Sequence, residues 1–251
     1  MLVGLIAGLA ASVSAYEPML VEGRTWTYVQ HSHAPGLVEY VRCIEGDTVV
    51  DGKTYRRLVD AENGAVKAYM REEAEKVYRL KFNEDGTTDF GNETLLYDFS
   101  IPVDSTFTIQ GISEYDGGLG DYQLTVLKSE TKVVSDCASI VKTVARIYDF
   151  GAGNYGVPLT FVERLGCLDH ATLETIYIDP YPTGQVYFPY LYTVKDKDGT
   201  LLYDYQKYNG IESNIVDNNS DGRMYDLMGR EIREPQRGTV YIQDGRKKVQ
   251  R

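Results

Sequence analysis

Two histidines placed two residues apart are the first candidates for chemistry in this sequence. His31 and His33 stand in "VQHSHAPG", so on a strand both imidazole rings would face one side. Imidazole is a common zinc ligand, but zinc needs a third and usually a fourth ligand, and the remaining histidine, His170, is distant in sequence. A polar strand end leading into an Ala-Pro-Gly turn is therefore the favoured interpretation.

A second candidate metal site lies in "DNNSDG". Asp217, Asn219, Asp221 and Gly222 occupy positions 1, 3, 5 and 6 of a calcium-loop pattern, in which oxygen ligands at alternate positions surround the ion. Position 12 is Met228 rather than the bidentate glutamate. A solvated Asn/Ser linker is favoured, so we predict no cofactor and keep Ca²⁺ as the alternative.

One acidic residue stands within an apolar segment, Glu163 in "TFVERLG". A carboxylate on a buried strand can have a raised pKa and act as a general acid. Glycoside hydrolysis needs a second carboxylate about 5–10 Å away, and nothing in the sequence identifies such a residue. An outward-facing strand residue is the favoured interpretation. There is also no G-x-S-x-G and no cysteine nucleophile signature, so we predict no catalytic residues.

Tyrosines supply the candidate binding residues. The chain contains 21 of them, and eight lie between Tyr177 and Tyr208. Within this group we single out Tyr187, Tyr190 and Tyr192, because aromatic faces can stack on sugar rings. Packing within a sheet explains the cluster at least as well, since tyrosine is enriched in strands.

The elements that must position these residues are short strands separated by turns. Asp51-Gly52 in "DTVVDGKTYRRLVD" predicts a hairpin with a type I′ turn. "AVKAYMREEAEKVYRLKF" is interpreted as strand, charged turn and strand, although its Ala, Glu, Lys and Arg content also suits one helix. "VPLTFVERLGCL" is predicted as a strand, and "GISEYDGGLGDY" as a glycine-rich loop. The fold class predicted is all-β, an antiparallel sandwich or barrel-like body with a short C-terminal β-hairpin tail.

Charge is distributed unevenly along the chain. The net charge is −11, but the last 22 residues, from Arg230, hold seven Lys or Arg against three Asp or Glu, so their net charge is +4 and the remainder carries −15. This acidic body argues against nucleic acid and anionic membrane surfaces as partners. Three cysteines, Cys43, Cys137 and Cys167, allow either one disulfide or three small buried side chains.

The chain divides by composition into four predicted segments. The first 15 residues, "MLVGLIAGLAASVSA", carry no charge and end in a small-residue pattern, which predicts a signal peptide cleaved before Tyr16. They are too short for a membrane span, which needs about 20 residues. A β body covers 16–208, a polar linker 209–221, and a β tail 222–251, whose turns are predicted at Met228-Gly229 and Asp244-Gly245.

Five phrases follow one another along the chain, "EGRTWTY", "GDTVVDGKTYRRL", "AYMREEAEKVYRL", "TLLYDFSIPVDSTF" and "TFVERLGCL". Together and in this order they resemble a family of secreted Bacteroidetes proteins. The tail "MYDLMGREI" to "GTVYIQDGRKKVQR" is similar to a shortened type A C-terminal sorting domain of type IX secretion. This resemblance implies passage across the outer membrane, with the secretion machinery as a partner of the tail, but it implies no activity for the body.

The predicted signal peptide and the tail similar to a sorting domain, together with the lack of a recognisable catalytic motif, predict a non-enzymatic binding or interaction protein. Its expected location is the medium or the outer cell surface, with the periplasm as the alternative, and its expected ligand is a glycan or another protein. The alternative function is a secreted hydrolase, directed at glycans or peptides, whose site is assembled only in the fold.

Overall fold

The computed structural model describes most of the chain. The described residues are 16–31, 36–113, 118–135, 137–146, 156–178, 188–208, 224–225, 231–232, 240–243 and 246–249. The chain forms two compact units, residues 1–203 and residues 204–251. Nearly every described element is a strand, so the all-β prediction is confirmed.

Eight of the described strands form the larger sheet of the first unit. In spatial order they are β14 (Leu201–Asp204), β13 (Tyr190–Lys195), β1 (Thr25–His31), β2 (Leu37–Val50), β3 (Lys53–Asp60), β4 (Val66–Glu73), β5 (Lys76–Phe82) and β6 (Thr88–Asp98). Each neighbouring pair from β13 to β6 is antiparallel. Most consecutive strands therefore lie side by side, as short turns dictate.

Local turn chemistry explains two of these hairpins. Val50 pairs with Lys53 around Asp51 and Gly52, whose φ angles are 48° and 77°. Two consecutive positive φ angles are the type I′ geometry that matches strand twist, so the predicted hairpin is confirmed. Residues 66–82 also form a hairpin rather than the rival helix. Its turn passes through Ala74, which has a positive φ of 52°.

The second sheet is formed by six strands of the described part of the chain. In spatial order they are β11 (Gly166–Cys167), β10 (Leu159–Val162), β9 (Cys137–Ala145), β8 (Gly118–Val134), β7 (Thr106–Ser113) and β12 (Tyr177–Ile178). The pairing of β12 with β7 is parallel. A glycine permits a close approach here, because a Cβ at Gly111 would lie 2.8 Å from Ile178 Cδ1.

The core of the first unit is apolar and aromatic. Its fully buried members include Trp26, Ile44, Leu58, Met70, Leu96, Ile109, Leu124, Val144 and Phe161. Tyr97 of the larger sheet contacts Phe161 of the second sheet edge to face, with ring centroids 5.0 Å apart. The Trp26 indole donates to the Leu165 carbonyl at 3.0 Å. Burial between two facing layers is the packing expected of sheets that are each apolar on one side.

Two boundaries differ from the predicted ones. Strand β10 ends at Val162, so Glu163 lies in the following turn rather than on a strand. Arg164 there has a φ of 69°, a backbone conformation that sequence alternation does not reveal. The predicted glycine-rich loop is shorter than expected, because Gly118 to Tyr122 already belong to β8.

The described residues of the second unit form one short helix and a small sheet. Helix α1 spans Tyr205–Tyr208. Strands β15 (Met224–Tyr225), β16 (Glu231–Ile232), β17 (Val240–Gln243) and β18 (Arg246–Val249) follow, in the spatial order β16-β15-β17-β18 with antiparallel pairing. The predicted linker 209–221 and the predicted turns Met228-Gly229 and Asp244-Gly245 lie outside the described residues.

Candidate functional site

Most of the sequence-predicted metal ligands cannot be placed. Asp217, Asn219, Asp221 and His33 lie outside the described residues, and of His31 only the backbone, in β1, is described. Within the described ranges, no group of three or more His, Cys, Asp or Glu side chains lies close enough together to hold a metal ion.

The tyrosines predicted for binding are only partly placed. Tyr190 and Tyr192 lie on β13 and are half-buried, whereas Tyr187 lies outside the described residues. Tyr190 is paired with Val29 of β1. Both described tyrosines also form interactions of their own, so neither is a free stacking platform.

Glu163 is buried, and this corrects its predicted outward position. Its carboxylate accepts hydrogen bonds from the backbone N–H groups of Glu17, at 2.9 Å, and Ile140, at 3.0 Å. The adjacent Arg164 is also buried and donates to the Glu17 carboxylate at 2.8 Å. Glu163 therefore ties the N-terminal segment to β9, and its lone pairs are committed to structure rather than to a substrate.

A second carboxylate fixes the same N-terminal segment. Glu72 accepts hydrogen bonds from the backbone N–H groups of Met19, at 2.8 Å, and Leu20, at 3.0 Å, and from the Tyr16 hydroxyl. Burial and the bond to Glu72 raise the pKa of Tyr16 far above its usual value. The residues directly after the predicted cleavage point are thus anchored to the body.

The described thiols suit packing better than catalysis. Cys43 is half-buried, Cys167 is fully buried, and both are free. Burial raises the pKa of each thiol. Since the thiolate is the nucleophilic form, neither side chain is prepared for attack near neutral pH.

A buried polar cluster lies between the sheets. Its members are Tyr28, Arg42, Arg79, Tyr97 and Glu174. Arg42 Nε donates to Glu174 Oε1 at 2.8 Å, and the Arg79 Nη2 group donates to the Gln110 side-chain oxygen at 3.0 Å. No protein atom among the described residues bonds Glu174 Oε2, the Tyr28 hydroxyl or the Nε and Nη1 groups of Arg79.

Burial dominates the electrostatics of this cluster. It lowers the pKa of Arg79 to about 10 and raises the pKa values of Tyr28 and Tyr97 well above the usual value. The Arg79 guanidinium stacks over the Phe82 ring at 3.8 Å, which offsets part of the cost of burying its charge. The cluster is sealed from solvent, so its evident role is to hold the two layers in one arrangement.

An accessible site lies where β2 extends beyond its pairing with β3. Strand β2 begins at Leu37, but its pairing with β3 begins only at Arg42, opposite Asp60. The Ala61 N–H donates to the Val41 carbonyl at 3.0 Å, after which the chain turns back towards β4. Among the described strands, only β1 pairs with Leu37–Tyr40.

Antiparallel geometry shows which backbone groups face this open edge. The Val41 carbonyl points away from β1, because it accepts from Ala61. Backbone groups of successive strand residues point to opposite sides, so those of Glu39 and Leu37 also point away from β1, whereas those of Tyr40 and Val38 bond β1. Two N–H groups and two C=O groups therefore line the open edge.

A groove of about 580 Å³ runs along this edge. We call it the edge groove, and its lining residues are Val38, Glu39, Tyr40, Val41, Asp60, Ala61 and Glu62. Leu37 and Val38 are large apolar side chains that are 61% and 39% exposed. Tyr40 is held in place by donating to Gln30 at 2.8 Å. The groove combines apolar surface with backbone groups that no described strand pairs.

The charge of the edge groove is negative. Asp60 is neutralised locally by Arg42, at 3.1 Å, and by Lys67, at 3.8 Å. Glu39 and Glu62 are exposed, and neither side chain has an ion pair within the described part of the chain. The groove can therefore offer two uncompensated carboxylates to a ligand.

Sequence reasoning missed both the edge groove and the buried cluster. The burial of Arg42 had a signal in the sequence. Arg42 lies two residues before Ile44, a core residue, so on a strand both side chains lie on the same face. The edge groove had no comparable signal, because the greater length of β2, with 14 residues, relative to β3, with 8, emerges only from the structure. Pairing over only part of a strand cannot be read from either strand alone.

Comparison with known proteins adds no assignment. No family model, no curated protein and no solved structure matches this chain. Among the described residues, no helix has the length and apolar composition that crossing a membrane requires.

Proposed function

We propose that this chain is an exported protein of the cell surface or the surrounding medium, and that it binds another protein without catalysing a reaction. The observation that carries the proposal is the edge groove, where a strand edge that no described strand pairs coincides with exposed apolar side chains and with two carboxylates that form no ion pair among the described residues. Unpaired strand edges are known sites of protein recognition by strand addition.

Two features support binding over hydrolysis. The buried acids among the described residues, Asp98, Glu163 and Glu174, each accept a hydrogen bond from the protein itself. The edge groove contains no histidine and no thiol among its lining residues; Glu39 and Glu62 are exposed rather than buried in a low-dielectric cleft, and the half-buried Asp60 is paired with Arg42 and Lys67. General acid–base catalysis by carboxylates depends on such burial to move a pKa towards neutrality.

Two further features support export. A cut before Tyr16 leaves the anchored segment Tyr16–Leu20 entirely on the mature chain. The tail that resembles a sorting domain falls in its own compact unit with its own sheet, as a detachable signal requires. We propose that this tail directs passage across the outer membrane.

The test is cell fractionation of two chains in a Bacteroidetes host that has type IX secretion. The full chain is expected at the outer surface or in the medium, and a chain lacking residues 222–251 in the periplasm. Equal location of the two chains would overturn the export proposal. Purified mature chain should also bind surface proteins saturably, and binding only to protease-treated glycan preparations would overturn the choice of a protein ligand.

A further inference from the structure

We propose that the edge groove binds a short, extended, cationic segment of a partner protein as an added antiparallel strand next to β2. This inference rests on the proposed function and specifies the partner. Glu39 and Leu37 each present one N–H and one C=O to the open edge, so a strand laid there exchanges four backbone hydrogen bonds.

The length of the incoming strand is limited at one end. Pairing beyond Val41 is blocked, because the Ala61 N–H occupies the Val41 carbonyl and the chain turns at residues 61–65. The partner therefore contributes three central residues, opposite Glu39, Val38 and Leu37. The groove of about 580 Å³, which Val38 and Glu39 help to line, offers space for this segment.

The side chains of β2 define the residue types of the partner. Glu39 has no ion pair among the described residues, so the residue opposite it is lysine or arginine. The exposed Val38 and Leu37 favour apolar residues opposite them. Because the strands run antiparallel, the partner has the order cation, apolar, apolar from its N-terminus.

The same charges disfavour a second copy of this chain as the occupant. Two β2 edges pairing around a twofold axis would bring the Glu39 side chains of both copies, and their Glu62 side chains, close together. Like charges on neighbouring strands are destabilising. The body, residues 16–208, holds 18 Lys or Arg against 30 Asp or Glu and so carries −12, which adds long-range repulsion between copies and long-range attraction for a cation.

The experiment uses the mature chain, Tyr16–Arg251, and a fluorescent peptide, acetyl-Thr-Lys-Val-Leu-Thr, whose anisotropy reports binding. We expect binding that weakens with salt, because the contact includes a charge pair near the surface. Glu39→Lys should weaken binding about tenfold, by replacing a favourable cross-strand pair with a repulsive one. Glu84→Lys is the matched control, since Glu84 is an exposed glutamate in the turn between β5 and β6, and it should leave binding unchanged.

Methylated peptides separate strand pairing from simple charge attraction. In the proposed register the Lys and Leu amides of the peptide face β2, whereas the Val amide faces away. N-methylation of Lys or Leu should abolish binding, and N-methylation of Val should preserve it. Equal effects of the three methylations, or equal effects of Glu39→Lys and Glu84→Lys, would overturn the inference.

Two remaining outcomes are also decisive. Absence of peptide binding by a chain that is exported and still binds a surface protein would overturn strand addition while leaving the proposed function intact. Sedimentation velocity tests whether a second copy of this chain occupies the edge instead. A concentration-dependent dimer that Glu39→Pro disrupts would assign the edge to a second copy, because this substitution removes an N–H on the open side and none that bonds β1.

Discussion

Replacing Arg42 with methionine should strongly destabilise the body. The guanidinium bonds Glu174 at 2.8 Å and Asp60 at 3.1 Å, and the side chains of Arg42 and Glu174 are each 8% exposed. Methionine keeps the apolar stem but removes the charge. It leaves Glu174 buried, with one oxygen already unbonded and the other without its donor.

The expected loss is about 3–5 kcal/mol of unfolding free energy, the cost of leaving one member of a buried ion pair without its partner. Arg56→Met is the matched control. Arg56 also contacts two carboxylates, Asp47 at 2.8 Å and Glu22 at 3.6 Å, but its side chain is 39% exposed. Exposed pairs contribute little, so this control should lose less than about 1 kcal/mol.

The chain provides its own reporter for the assay. Trp26 is the single tryptophan, is fully buried, and donates to the Leu165 carbonyl, so its fluorescence follows unfolding of the body in urea. Adding Glu174→Gln to Arg42→Met should recover much of the loss, because no buried charge is then left unpaired. Similar midpoints for Arg42→Met and Arg56→Met, or no recovery in the double variant, would refute the reasoning.

Three further predictions concern acid stability, the N-terminal anchor and the thiols. Hydrogen bonds from Arg71 hold the pKa of Glu93 at about 2, below its ordinary 4.5. Because the folded pKa is depressed, the stabilisation is complete above pH 4.5 and is lost as pH falls towards 2, so the deficit of Glu93→Gln in urea melts should vanish over that range. Glu163→Gln should lower the free energy of unfolding by about 1–3 kcal/mol and speed exchange of the Glu17 amide, by weakening the two charge-assisted hydrogen bonds to Glu163; unchanged exchange there would contradict the anchoring role of Glu163. Iodoacetamide at about pH 8 should label Cys43 slowly and Cys167 only after unfolding, as peptide mass mapping would show, because burial raises the pKa of both thiols.

The parts of the fold that sequence predicted are those fixed by local chemistry. The hairpin at Asp51-Gly52 follows from the positive φ angles that its turn requires, and both residues adopt them. The hairpin at 66–82 is harder to predict from sequence, because its composition also suits a helix. Pairing with the flanking strands β3 and β6 outweighs that local propensity, which is a contribution made only by the assembled sheet.

The parts that sequence did not predict depend on partners distant in the chain. Glu163 was predicted to face outwards because alternation was extended past Val162, where the strand ends and Arg164 adopts a positive φ. Its buried role comes from Glu17, 146 residues away. The edge groove likewise exists only because β1 is paired with β2 beyond the point at which β3 departs.

Arg42 connects the stability of the body to the charge of the edge groove. Its guanidinium neutralises Asp60, a lining residue, so at present Glu39 and Glu62 supply the uncompensated charge. Arg42→Met would leave Asp60 with Lys67 alone, at 3.8 Å, and would make the groove more negative. In a chain that remains folded, the cationic peptide should therefore bind more tightly to this variant at low salt, while the free energy of unfolding falls. A parallel loss of affinity and stability would show instead that Arg42 acts on the groove by fixing the end of β3 rather than through its charge.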